Sequence, residues 1–169
     1  MKLNDLLLSK SSDRVFVFQS LSQLNATHIE YITHELNNQF FPNWYSHNDK
    51  IHPKLLILND HFIIISACVP DISGCSIDSL SHKIREIESN LGFSLFNRIK
   101  IPYFKHSSPD FMYHQRDNIH VQFLSYQDFI FKYRDTKNHN IFILNTRVSY
   151  SDELWVLSLD IWLNNYLKV

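Results

Sequence analysis

Strand-like and helix-like segments alternate through residues 12–104 in the order β-α-β-β-α-β. That order predicts an α+β fold with a ferredoxin-like core, an antiparallel sheet with helices on one face. Three observations carry the prediction. Arg14-Val-Phe-Val-Phe-Gln19, Leu55-Leu-Ile-Leu58 and Phe62-Ile-Ile-Ile-Ser-Ala-Cys-Val69 are short runs rich in β-branched and aromatic residues. Ile29, Ile32, Leu36 and Phe40 repeat at helical spacing, as do Ile77, Leu80, Ile84, Ile87 and Leu91. The second and third strand runs are separated only by Asn59, Asp60 and His61, which suits a tight hairpin.

Each boundary has a local cause. Asn25 is a good N-cap, because its side chain can accept from the first free amides of the helix that follows. Phe41-Pro42 ends that helix, since the residue before proline avoids the α region. Residues 43–53 read as a polar loop carrying Trp44, His47 and His52. Gly92 suits the left-handed position after the second helix. A fourth core strand is expected within residues 95–104, ending near Pro102. Beyond it, residues 105–169 are expected to form a C-terminal extension packed on the core, within one domain. There 107–118 reads as a loop, 121–124 as a short strand and 128–135 as helical. Ile141 to Leu144 reads as a strand, and 153–167 as a helix capped by Ser151.

Composition narrows the function classes. The chain has 169 residues, 44% of them hydrophobic, which is enough for a core. A net charge of -1 gives no general attraction to nucleic acid or to anionic membranes. Two cysteines, Cys68 and Cys75, are too few for a disulfide scaffold and fit a reducing, cytoplasmic setting. No run approaches the ~18 apolar residues of a membrane span, and Met1 to Leu8 lacks the apolar length of a signal peptide.

The predicted topology gathers distant residues. Right-handed βαβ crossovers make the first and second strands parallel, and the hairpin reverses the third. The end of the third strand then shares an edge with the starts of the other two. Arg14, Trp44, His47, His52 and Cys75 converge there, and the fourth strand is expected to bring Tyr103 to the same rim. Cys75 sits in Ser73-Gly74-Cys75-Ser76-Ile77-Asp78, at a strand-to-helix turn. Helix N-terminal amides favour anions and thiolates. Cys75 is therefore the candidate nucleophile, with His47 or His52 as base. Arg14, Trp44, Ser73, Gly74, Ser76 and Asp78 are candidate ligand contacts for a small anionic or acyl-type ligand. Plain alternatives stand beside this: Cys75 as a packing residue, Ser76 and Asp78 as helix-start residues, Trp44 as a core plug.

Other chemistries find no support. With two glycines, the chain has no phosphate loop and no G-x-G-x-x-G, and it lacks H-E-x-x-H, C-x-x-C and G-x-S-x-G. No metal site and no cofactor is expected. His114 and His120, with Asp110 and Asp117 nearby, read as solvated loop side chains. Val15-Phe-Val-Phe-Gln-Ser-Leu21 loosely matches the first aromatic strand of an RNA-recognition sheet. The third strand lacks the basic, glycine-containing partner motif. RNA or protein interaction, using the sheet face or the rim, remains the non-enzymatic alternative.

Ser12-Asp-Arg-Val-Phe-Val-Phe-Gln-Ser20, Trp44-x-x-His47 and Ser73-Gly-Cys-Ser-Ile-Asp78 together resemble a small bacterial family whose members often carry the label "ABC transporter ATPase". The resemblance spans roughly residues 12–100 and continues more weakly to Trp155 and Trp162. It implies that Arg14, Trp44, His47 and Cys75 belong to one recurring pattern, and it implies no particular reaction. The absent phosphate loop disfavours ATP hydrolysis. The family pattern places Gly after the histidine, where this chain has Asn48. Ferredoxin-like sheets often pair, so a homodimer is a further expectation.

Overall fold

The computed structural model describes residues 2, 7, 13–69, 71–107, 119–135 and 140–166. The fold is α+β with antiparallel sheets. Strand β1 (Arg14–Gln19) leads to α1 (Ala26–His34), which Asn25 caps by accepting from the His28 amide. The helix continues as a π-helical segment, Glu35–Phe40, and a 3₁₀ turn, Phe41–Asn43. The α-helical ladder gives way to π winding at Glu35, ahead of Pro42, and the winding ends with the 3₁₀ turn that holds Pro42. The expected polar loop contains a small hairpin, β2 (Tyr45–Ser46) and β3 (Asp49–Lys50). Strands β4 (His52–Leu58) and β5 (Phe62–Cys68) flank a three-residue turn in which Asn59 and Asp60 adopt positive φ. Helix α2 (Gly74–Leu91) ends at Gly92, with φ 75°. Then follow β6 (Lys100–Lys105), β7 (Gln122–Ser125), α3 (Tyr126–Tyr133), β8 (Ile141–Leu144), β9 (Val156–Ser158) and α4 (Leu159–Tyr166).

The first sheet has the order β1-β5-β4, with β5 antiparallel to both neighbours. That is the order the first three core strands require. The expected fourth strand does not join them. Instead β6 enters a second sheet of order β7-β6-β8-β9. Residue Phe96 makes only an isolated parallel bridge to Gln19. The backbone of the segment before β6 touches the first sheet only at the end of β1. There the Gln19 amide donates to the Leu95 carbonyl and the Gln19 carbonyl accepts from the Asn97 amide, while the Glu88 carboxylate accepts from the Leu95 and Phe96 amides. Tyr103 therefore does not reach the rim. It is buried on the second sheet against Phe129 and Tyr133, where burial raises its hydroxyl pKa.

Side-chain alternation explains two stacked sheets. In β5, Phe62 and Ile64 face one cluster, while Ile63, Ile65 and Ala67 face another. The first cluster lies between the sheets and includes Val15, Val17, Phe104, Phe142, Leu144 and Trp155. The second joins the sheet to α1 and α2 through Ile32, Leu36, Leu80, Ile84 and Ile87. A third covers the second sheet with α3 and α4 through Phe129, Tyr133, Leu159 and Trp162. The layers run helix, sheet, sheet, helix. Each buried Ile or Phe contributes about 1.5–3 kcal/mol, so covering both faces of β5 needs two partners.

Two further expectations change. The helix expected over 153–167 begins only at Leu159, and Ser151 does not cap it, because 156–158 form strand β9 beside β8. The helix expected at 128–135 starts earlier, at Tyr126, capped by Ser125. The expected loop beyond Ser107, with Asp110, His114 and Asp117, lies outside the described residues, as does Pro70.

Candidate functional site

The strand register places the start of β1, the end of β5 and the start of β4 together. Arg14 pairs with Ala67, Ala67 with Pro53, and Cys68 with His52. Chain continuity from Cys68 carries the same end to Ser73, the N-cap of α2. So the expected gathering of Arg14, His52 and the Cys75 turn at one end of the sheet is present in the register.

The two motifs interlock through hydrogen bonds. Trp44, 2% exposed, donates from Nε1 to the Ser76 carbonyl at 2.9 Å. Ser76 Oγ donates to the Tyr45 carbonyl at 2.7 Å. Ser46 Oγ donates to the Asp71 carbonyl at 2.9 Å and accepts from the Ser73 amide at 2.8 Å. Ser73 Oγ accepts from the Ser76 amide and lies 2.6 Å from Ser76 Oγ. Trp44 also packs against the Phe16, Phe40 and Phe41 rings. The chain reaches this point by turning at His47 and Asn48, with φ 49° and 77°, which is the geometry of a two-residue type I′ hairpin. Asn is among the few residues besides Gly that enter this left-handed region readily.

The exposed residues have a different standing. Cys75 is exposed at the start of α2, and its carbonyl accepts from Ser79 Oγ. Among the described residues no hydrogen bond links its thiol to His47, His52, Arg14 or Asp78, and all but Arg14 of these are exposed. Arg14 is half-buried and stacks 5.0 Å over the Tyr150 ring. Gly74 has open space where a Cβ would stand, so no close approach requires glycine there. The nucleophile–base geometry expected from the sequence is thus not formed by hydrogen bonding. Surface clefts lie at other places, such as those lined by Arg85 and Phe93, by Glu30 and Asn37, and by Arg98 and Trp162. No group of three or more potential metal ligands occurs among the described residues. None of their helices is long and apolar enough to cross a membrane.

Sequence reasoning missed Tyr45, Ser46 and Tyr150. Ser46 had one legible signal, its place inside Trp44-x-x-His47. Tyr150 had none, because it comes to β1 through long-range contacts, an isolated bridge to Arg14 and the stacking of Arg14 on its ring. Comparison of the chain with family models, curated proteins and solved structures finds no match in any of the three.

Proposed function

We propose that the chain is a non-enzymatic protein-interaction module whose docking rim is built around the Cys75 turn. The observation that carries this reading is a division of labour among the motif residues. Trp44, Ser46, Ser73 and Ser76 direct their polar atoms at one another or at backbone within the clasp. The groups left exposed beside them are Tyr45, His47, Cys75 and, at the same sheet end, Tyr150 under Arg14. Tyrosine and arginine are enriched among residues that dominate protein interfaces. A base-stacking RNA sheet needs an open face, and both faces of the first sheet are covered. On this reading the family resemblance lies in the clasp, and β1-β5-β4 is a ferredoxin-like unit whose fourth strand has been given to the second sheet.

A photo-crosslinker attached to Cys75, in a Cys68→Ala background, tests the proposal. A discrete cross-linked partner is expected, and it is lost on Tyr45→Ala or Tyr150→Ala while thermal unfolding is unchanged. Crosslinks that survive both substitutions would sink the rim.

A second reading, a small-ligand thiol site, draws on the exposure of Cys75 at the start of an 18-residue helix. It expects alkylation at pH 7 to outpace a small free thiol by about tenfold or more, and to slow on His47→Ala or His52→Ala. The interaction module expects no such acceleration.

A further inference from the structure

A cleft in the second sheet joins three cationic side chains from two segments that lie far apart in sequence. Arg98 comes from the approach to β6, Lys100 from its first position, and Arg147 from the turn after β8. Thr146, Tyr126 and Trp162 complete the part that matters, and no Asp or Glu lines it. None of the three cations makes an ion pair among the described residues. The whole chain carries a net charge of -1, so this concentration is local rather than a general excess.

The turn is held in shape. Asn145 Nδ2 donates to the Leu154 carbonyl, and its Oδ1 accepts from the Arg147 amide at 3.3 Å. The Arg147 guanidinium lies 5.0 Å over the Tyr166 ring, which restricts it without using its N–H donors. The Thr146 hydroxyl has no partner among the described residues and is a further free donor. The cleft volume is about 40 Å³. One water needs roughly 10–15 Å³ on that scale, so the space suits a single tetrahedral oxyanion and not a polymer track. The Tyr126 ring, partly exposed and 5.9 Å from Trp162, offers a flat surface beside it.

We propose that this cleft binds the dianionic head of a small phosphate monoester, with Arg98, Lys100 and Arg147 holding the phosphate oxygens. A dianion answers three cations better than a carboxylate does, and guanidinium groups match its oxygens in paired hydrogen bonds. The site is separate from the Cys75 rim and does not depend on its reading.

Calorimetric titration of the full chain at low salt with phenyl phosphate tests it. Saturable one-to-one binding is expected, with benzoate about tenfold weaker. Arg98→Gln and Arg147→Gln are each expected to weaken binding about tenfold. Arg134→Gln, an exposed cation outside the cleft, should leave it unchanged, and all variants should unfold at the wild-type temperature. Arg147→Lys separates charge from geometry, since it keeps the charge and loses the paired hydrogen bonds. Inorganic phosphate binding as tightly as phenyl phosphate would support the head-group site and overturn the Tyr126 contact. Absence of saturable binding, equal loss in Arg134→Gln, or displacement by a single-stranded oligonucleotide with a steep salt dependence would overturn the proposal.

Discussion

Trp44 buries a large ring and still satisfies its one donor, and that donor reaches a carbonyl 32 residues away. A buried indole N–H without a partner is costly, so the bond to Ser76 fixes where the hairpin and α2 meet. Trp44→Phe is expected to cost about 1–3 kcal/mol, and Ser76→Ala about 1 kcal/mol, in urea unfolding. The two share one network, so a double-mutant cycle should give a coupling energy above about 0.5 kcal/mol. Additive losses would show that the bonds are independent. Asn48 raises a separate question of backbone strain. At φ 77°, Asn48→Gly should be neutral or slightly stabilising, whereas Asn48→Val should cost about 1–2 kcal/mol. Equal stability of the two variants would contradict the turn geometry.

Among the elements, the π-helical segment after α1 is the least regular, and an ion pair ties it down. Lys83 Nζ reaches Glu35 Oε2 at 2.7 Å and Glu86 Oε1 at 3.1 Å. The hydrogen bond from Lys83 lowers the Glu35 pKa, against the opposing effect of burial. A carboxylate lowered in the folded state adds stability above its unfolded pKa. That contribution is lost as pH falls through the folded value. Wild-type stability should therefore decline below about pH 4.3 by up to about 1 kcal/mol more than that of Glu35→Gln. Thermal unfolding from pH 6 to 3 reads this directly, and parallel curves would remove Glu35 as the cause. The same segment delivers Trp44 to the clasp, which gives its irregular winding a structural consequence.

At the scale of the molecule, the interface between the two sheets decides the architecture. Phe62 meets Trp155 edge-to-face at 5.4 Å and Phe123 at 6.5 Å, so one side chain of the first sheet packs against a residue within β7 and one just before β9. Phe62→Ala should cost about 3–5 kcal/mol. If the sheets are one cooperative unit, amides of β5 and β8 should lose hydrogen-exchange protection together. Loss confined to the first sheet would show that the second stands alone. The same sandwich covers both faces of the first sheet, so the rim and the clefts are what it leaves exposed.

Local signals determined a good deal by themselves. The apolar, β-branched run from Phe62 to Cys68, the helical repeats from Ile29 and Ile77, the cap at Asn25 and the stop at Gly92 are each signals carried within a few residues. The gathering of Arg14, His52 and the Cys75 turn was legible too, because strand order and hairpin geometry dictate which ends meet. What Cys75 faces was not legible. Helix-start chemistry allows either a buried or an exposed thiol, and only the folded chain shows that Cys75 is exposed while Trp44 and Ser76 beside it are turned into the clasp. The fate of residues 95–105 was equally hidden. An apolar strand can pair with any suitable edge, and its choice depends on Glu88 holding Leu95 and on β8 offering a partner. The cationic cleft belongs with these, since Arg98 and Arg147 become neighbours only when two sheets and two helices have packed. Periodicity and capping are near-neighbour effects that a chain carries wherever it goes. Partner choice among strands, burial and charge convergence depend on long-range contacts, and only the folded molecule resolves them.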